Sequence, residues 1–108
     1  MTATYITEKF AVSPQILPDH VSALASEGFT DIVCNRPDGE EPGQPAHTEI
    51  QAACESAGIN FHYLPMSNPA EAAVHIEPLK ALIGSDAKVF AFCRTGNRSS
   101  MLFNAAQG

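Results

Sequence analysis

The chain has 108 residues, 44% of them hydrophobic and 17% charged. That balance excludes both a disordered segment and a membrane-embedded protein, and it provides for one domain, 1–108. Twelve acidic against six basic side chains give a net charge of −6, which argues against nucleic acid as a partner because neutralising phosphates takes a basic surface.

Residues 3–12 read as one or two short extended segments, with Tyr5, Ile6, Phe10 and Val12 as apolar contacts. Ser13-Pro14 turns the chain, and Asp19 is positioned to cap a helix over 19–27 that carries Val21, Leu24 and Ala25 on one face. Gly28 suits the residue just past its end. Residues 29–34 form the next strand. The stretch 35–46, NRPDGEEPGQPA, holds three prolines and two glycines in twelve residues, so it cannot be regular structure.

A second helix is predicted over 48–57, with Ile50, Ala53, Cys54 and Ala57 on one stripe and Gly58 ending it. Residues 59–64 are a strand and 65–69 a loop. Helical sequence over 70–83 is expected to be kinked or divided by Pro78. A strand over 88–93 and a helix over 99–106 close the chain. Strands alternating with helices predict an α/β domain, a mostly parallel sheet covered on both faces, with ligands beyond the carboxyl ends of the strands.

The three cysteines, Cys34, Cys54 and Cys93, contain no Cys-x-x-Cys pair, so neither a zinc knuckle nor a dithiol motif is expected. Free thiols fit a reducing cytoplasm, and Met1-Thr2-Ala3-Thr4-Tyr5 lacks the basic start and apolar core of a signal peptide. No apolar run approaches the ~20 residues that a bilayer span needs. Among the histidines, His20 reads as surface helix, His47 as a helix start, His62 as a strand position and His75 as part of an amphipathic helix. No two have ligand spacing, so no metal and no cofactor is expected.

The chemistry concentrates at Cys93-Arg94-Thr95-Gly96-Asn97-Arg98-Ser99. Cys93 is the first residue past a buried strand, and Gly96 lets the backbone curl. Successive amides of such a loop can form an anion nest from Arg94, Thr95, Gly96, Asn97 and Ser99. The following helix adds its positive end, and Arg98 can grip an oxyanion with two donors. All three effects favour a thiolate at Cys93, a nucleophile aimed at a tetrahedral anion or a sulfane sulfur. A second cluster, Arg36-Pro37-Asp38-Gly39-Glu40-Glu41, has two readings. Arg36 stands at the pocket rim with Asp38 or Glu40 as an acid, or the stretch is a turn in which Arg36 pairs with neighbouring carboxylates. Cys34 could serve as a resolving thiol or pack as a strand-end core residue.

The loop CRTGNRS resembles the active loop of rhodanese sulfurtransferases and, more loosely, the phosphate loop of protein tyrosine phosphatases. Together with GFTDIVCNRPDGE (28–40) and Gln44-Pro45, it is similar to the phosphatase-like domain of the bacterial β-lactamase hydrolase-like family. The resemblance implies a tyrosine-phosphatase-like fold and a metallo-hydrolase domain or protein as partner. It also departs from the phosphatase pattern. Four residues separate Cys93 from Arg98 where phosphatases have five, and Phe92 stands where they have His. Tyr63-Leu64-Pro65-Met66-Ser67-Asn68 carries no acid where dual-specificity phosphatases place theirs. Three functions remain open: transfer of sulfane sulfur through a Cys93 persulfide, hydrolysis of phosphomonoesters through a phosphocysteine, and non-catalytic binding of a small anion.

Overall fold

In the computed structural model, which describes residues 3–107, five strands form one sheet: β1 (Thr4–Thr7), β2 (Phe10–Ser13), β3 (Asp31–Cys34), β4 (Asn60–Tyr63) and β5 (Val89–Phe92). Their order across the sheet is β1-β2-β5-β3-β4. The first pair is an antiparallel hairpin, and β2, β5, β3 and β4 run parallel. Four helices cover them: α1 (Val21–Ser26), α2 (His47–Ala57), α3 (Ile76–Ile83) and α4 (Asn97–Gln107).

The period of two along each strand divides the core. Ile32, Cys34, Phe90 and Phe92 face α1 and α2, where they meet Ile16, Leu24, Ile50 and Cys54. Val33, Val89 and Ala91 face the other way and pack with Met66, Leu79, Leu102 and Phe103 under α3 and α4. β2, β3 and β5 are buried along their whole length, as central strands covered on both faces must be. Each fully buried large side chain contributes roughly 1.5–3 kcal/mol.

Local chemistry sets the ends. Beyond α1, Gly28 adopts φ +92°. Its N–H donates to the Ala25 carbonyl at 3.0 Å, and that of Phe29 donates to the Leu24 carbonyl at 3.2 Å. This paired closure satisfies carbonyls that the helix leaves open.

Most sequence-based boundaries shift by a residue or two, that of α2 from 48 to His47 among them, and some assignments need correction. Asp19 does not cap α1: it lies in a 3-10 turn, Pro18–His20, that feeds the helix, whose first flanking residue is His20. The segment 70–83 does divide, but at His75/Ile76. A 3-10 stretch, Pro69–His75, precedes α3, and Pro78 falls in the first turn of that helix, where its missing N–H would have had no partner. His75 therefore ends the 3-10 stretch, with Nε2 2.7 Å from the Pro65 carbonyl oxygen. Finally, α4 starts at Asn97 rather than Ser99, because Gly96 at φ +99° releases the chain straight into helix.

Four parallel strands point their carboxyl ends to one edge of the sheet. The segments after Ser13, Cys34, Tyr63 and Phe92 all emerge there. β5 lies between β2 and β3, so the two motif loops of the sequence are neighbours in space.

Candidate active site

Cys93 follows β5 and is fully buried beneath its own loop. The Gly96 amide donates to Sγ at 3.0 Å. Burial is the largest influence on this thiol and opposes ionisation. The backbone amides of Ser99, Thr95, Gly96 and Arg98 outweigh it together and hold the thiol below its ordinary range. Gly96 is required here, since its φ of +99° is strained for any side chain. The Ser100 N–H donates to the Gly96 carbonyl at 3.0 Å and opens α4, so the helix begins directly at the loop.

Arg98 reaches across to the loop after β3. Its Nη1 and Nη2 donate to Glu40 Oε2 and Oε1 at 2.7 and 2.8 Å, and Nη1 also donates to the Met66 carbonyl at 2.8 Å. Glu40 is held from behind by Arg36, whose Nε donates to Oε1 at 3.0 Å. The Arg98 fork is the main cause, reinforced by Arg36 against the opposing effect of burial, that brings the Glu40 carboxyl down to about 2.

Arg36 does not stand at a pocket rim. It is 2% exposed, and its remaining donors go to Gln15 Oε1 at 3.1 Å and Glu41 Oε1 at 2.8 Å. Each of the three nitrogens of this buried guanidinium thus has an acceptor, which is why the turn reading of this stretch describes it better. Asp38 is also committed elsewhere. Its Oδ1 accepts the His47 amide at 2.8 Å at the start of α2, and its Oδ2 lies 2.6 Å from His47 Nδ1. His47 in turn stacks on Tyr63 with ring centroids 3.7 Å apart.

The open cleft over the loop has a volume of about 590 Å³ and is lined by Glu40, Glu41, Ser67, Arg94 and Arg98. Arg94, Thr95 and Asn97 are exposed, and the Asn97 amide donates to Thr95 Oγ1 at 3.3 Å. Ser99 is buried, and its hydroxyl turns away from the sulfur to donate to Asn35 Oδ1 at 2.8 Å. Its contribution to the anion nest is therefore its amide. Cys34 belongs to the core: its Sγ donates to the Arg36 carbonyl at 3.3 Å, and burial pushes its thiol up to about 12. Such a thiol is a poor resolving partner. Among the described residues no group of three or more His, Cys, Asp or Glu side chains is placed to hold a metal ion.

Asn35 stood in the sequence as the first residue of the irregular stretch 35–46, with no role. The structure makes Asn35 a junction. Its amide donates to the Phe92 carbonyl at 2.8 Å, its Nδ2 to the Leu64 carbonyl at 2.9 Å, and its carbonyl accepts the Met66 amide at 3.0 Å. Gln15 and the Met66 carbonyl were missed as well. A buried polar side chain at the end of an apolar strand was the one available signal for Asn35. A backbone carbonyl leaves none in the sequence.

The arrangement can stabilise a thiolate and present an arginine beside it, the requirements for nucleophilic attack on an anionic centre. Known proteins resemble this chain at two levels, sequence and fold. A beta-lactamase hydrolase-like protein of Agrobacterium fabrum is 33% identical over 104 residues, which is 95% of this chain but 24% of that protein. The chain thus spans about a quarter of the length of the curated relatives it matches. A crystal structure of a Neisseria meningitidis Z2491 protein, described as a candidate phosphatase, superposes with a TM-score of 0.81 at 36% identity, covering 96% of this chain and 77% of the other. A kinase-associated phosphatase shares the fold at 17% identity, with a TM-score of 0.68 over 91% of this chain and 66% of its own. The fold is tyrosine-phosphatase-like. The family model of the beta-lactamase hydrolase-like protein, phosphatase-like domain, matches residues 3–108, and the chain belongs to that family.

Proposed function

We propose that Cys93 is the nucleophile of a group-transfer enzyme, and that the group it carries is sulfane sulfur from a small anionic donor such as thiosulfate. The observation that carries this reading is the state of the carboxylates around the loop. Glu40 is held ionised at about 2 by Arg98 and Arg36, the Glu41 carboxyl is lowered by Arg36, and Asp38 is bound to His47. Neither glutamate is a ready proton donor at neutral pH, and Asp38 is spent on the start of α2 rather than turned to the loop.

Sulfur transfer needs none. The Cys93 thiolate attacks the outer sulfur of thiosulfate, a new S–S bond forms, the old one breaks, and sulfite leaves with the bonding pair. The product is a Cys93 persulfide anion. An acceptor thiolate then attacks the terminal sulfur, and the Cys93 thiolate departs unchanged. Charge balances in both steps without a proton. Hydrolysis of an alkyl phosphate by the same thiolate expels an alkoxide, for which a general acid is typically worth ~10²–10⁴-fold.

A second reading, hydrolysis of phosphomonoesters with good leaving groups through a phosphocysteine, is favoured by the family and by the phosphatases among its structural neighbours. Intact-protein mass spectrometry separates the two. Incubation with thiosulfate is expected to add one sulfur atom to the wild type and none to Cys93→Ser. A phosphoryl adduct trapped from an aryl phosphate, with no sulfur adduct from thiosulfate, would overturn sulfur transfer in favour of the phosphatase. Neither adduct would leave an anion-binding module. The three cysteines are free, which suits action in a reducing cytoplasm. Among the described residues no helix is long and apolar enough to cross a membrane. A protein partner or a metallo-hydrolase domain would fit as the source or consumer of the transferred group.

A further inference from the structure

A guanidinium has five N–H donors in fixed directions. In Arg98, Nη1 spends both of its own, on Glu40 Oε2 at 2.7 Å and on the Met66 carbonyl at 2.8 Å. Nη2 spends one on Glu40 Oε1 at 2.8 Å. Two remain, one on Nε and one on Nη2. These two are parallel and form the lateral edge of the group, a second fork as well matched to an oxyanion as the terminal one. The guanidinium also meets the Cys93 sulfur, by charge and by a side-chain hydrogen bond. Glu40 thus occupies the terminal edge and leaves the lateral edge, turned to Cys93, as the one open to a ligand there.

We propose that Glu40 is a positioning residue: it pins Arg98 by the terminal edge so that the lateral Nε–H and Nη2–H pair receives the substrate's oxyanion over Cys93. This rests on the reading that the Cys93 loop binds an oxyanion, and it gives Glu40 a part other than the general acid. A carboxylate with three charge-assisted hydrogen bonds has no proton to give. The support extends one layer further back. Arg36 fixes Glu40 from the buried side and is itself fixed by Gln15 and Glu41, so the orientation of Arg98 is set by a chain of ion pairs anchored in the core.

The opposite arrangement is that Glu40 is a resident anion sitting where substrate must go. The two predict opposite signs. If Glu40 positions Arg98, removing its charge weakens oxyanion binding. If Glu40 competes with substrate, removing its charge strengthens binding.

The test is calorimetric titration of the whole chain with tungstate, a tetrahedral oxyanion that needs no chemistry to bind. Wild type, Glu40→Gln, Arg98→Ala and the double variant are compared. Glu40→Gln is expected to weaken tungstate about tenfold in the wild-type background, and less than about twofold where Arg98 is already alanine. A general structural role for Glu40 would give the same loss in both backgrounds and overturn the proposal. Equal or tighter binding by Glu40→Gln would overturn it too, while leaving the oxyanion loop intact. Failure of the wild type to bind tungstate would remove the loop reading and the proposal together. Carbon-13 titration of the Glu40 carboxyl in the wild type gives an answer even if the variant does not fold. With sulfate bound, a tetrahedral dianion that stays monomeric where carboxyls titrate, the carboxyl is expected to stay well below its ordinary 4.5. A rise toward its ordinary 4.5 would mean that the anion has displaced it from Arg98, and would refute the positioning role.

Discussion

The reactivity of the three thiols gives a direct measure of the electrostatics at the loop. Burial pushes Cys54 up to about 11 and Cys34 up to about 12, whereas the loop amides bring Cys93 below the reference value of 9.0. At pH 7 a thiol at 9.0 is about 1% ionised, so Cys93 exceeds that fraction, while Cys54 holds ~10⁻⁴ thiolate and Cys34 ~10⁻⁵. The thiolate ratios are therefore at least ~10² and ~10³ in favour of Cys93. More basic thiolates are intrinsically better nucleophiles, with a Brønsted slope of about 0.4–0.5, which trims the advantage to at least about tenfold over Cys54 and about thirtyfold over Cys34. Iodoacetamide alkylation of the folded protein, followed peptide by peptide across pH 5–10, reads these ratios. Cys93 is expected to react first and to reach its plateau at the lowest pH. An inflection for Cys93 at or above 9.0, the reference value, would refute the argument that the loop makes a thiolate.

Arg98→Lys should lower turnover of whichever donor proves active by at least about tenfold, since an ammonium offers no planar fork; steady-state kinetics with thiosulfate and an aryl phosphate checks it. Asp38→Asn is expected to keep turnover within about threefold and to lower stability by about 1 kcal/mol through the His47 contact. A fall of ~10² or more in aryl phosphate turnover would instead make Asp38 the general acid. Asn35→Ala strands the Ser99 hydroxyl and the Leu64 carbonyl, at a cost of about 2 kcal/mol or a melting point lower by about 10 °C. Glu40 has a depressed carboxyl, so its stabilisation is complete above the ordinary 4.5 and is lost as pH falls through about 2. Thermal melts should show the gap between wild type and Glu40→Gln closing over that window.

The elements were legible because strands and helices here obey simple periods. Phe90 and Phe92 alternate with Val89 and Ala91, and Ile50 and Cys54 mark the inner stripe of α2. The glycines at 28 and 58 end helices as a missing Cβ predicts. The nucleophile loop was legible for the same reason: one continuous stretch holds the cysteine, the glycine turn and the arginine. What stayed hidden is the pairing between segments. Glu40 and Arg98 are 58 positions apart, and nothing local distinguishes Glu40 from Asp38 or Glu41 as the partner. Arg36 offered a choice between rim and turn, and only its complete burial decides it. Asp38 resembled a candidate acid because its contact with His47 depends on where α2 begins, a boundary that the sequence placed one residue late.

Sheet order explains why two separated stretches behave as one chemical unit. β3 and β5 are hydrogen-bonded neighbours with Cys34 opposite Phe92, so the residues just beyond, Asn35 and Cys93, leave the sheet side by side. The Asn35 amide closes onto the Phe92 carbonyl and its side chain receives the Ser99 hydroxyl, which ties the first turn of α4 to the end of β3. One residue further, Arg36 turns inward and brings Glu40 to Arg98. Neither motif is complete alone: the Cys93 loop supplies amides and a guanidinium that could rotate, and the Arg36–Glu41 stretch supplies the contacts that stop it rotating. A substitution in the second motif should therefore change the orientation of Arg98 while leaving the amides around Cys93 in place. The two properties are coupled through Arg98: the amides that lower the thiol come from the loop after β5, and the guanidinium that serves both anion and thiolate is held in place from the loop after β3.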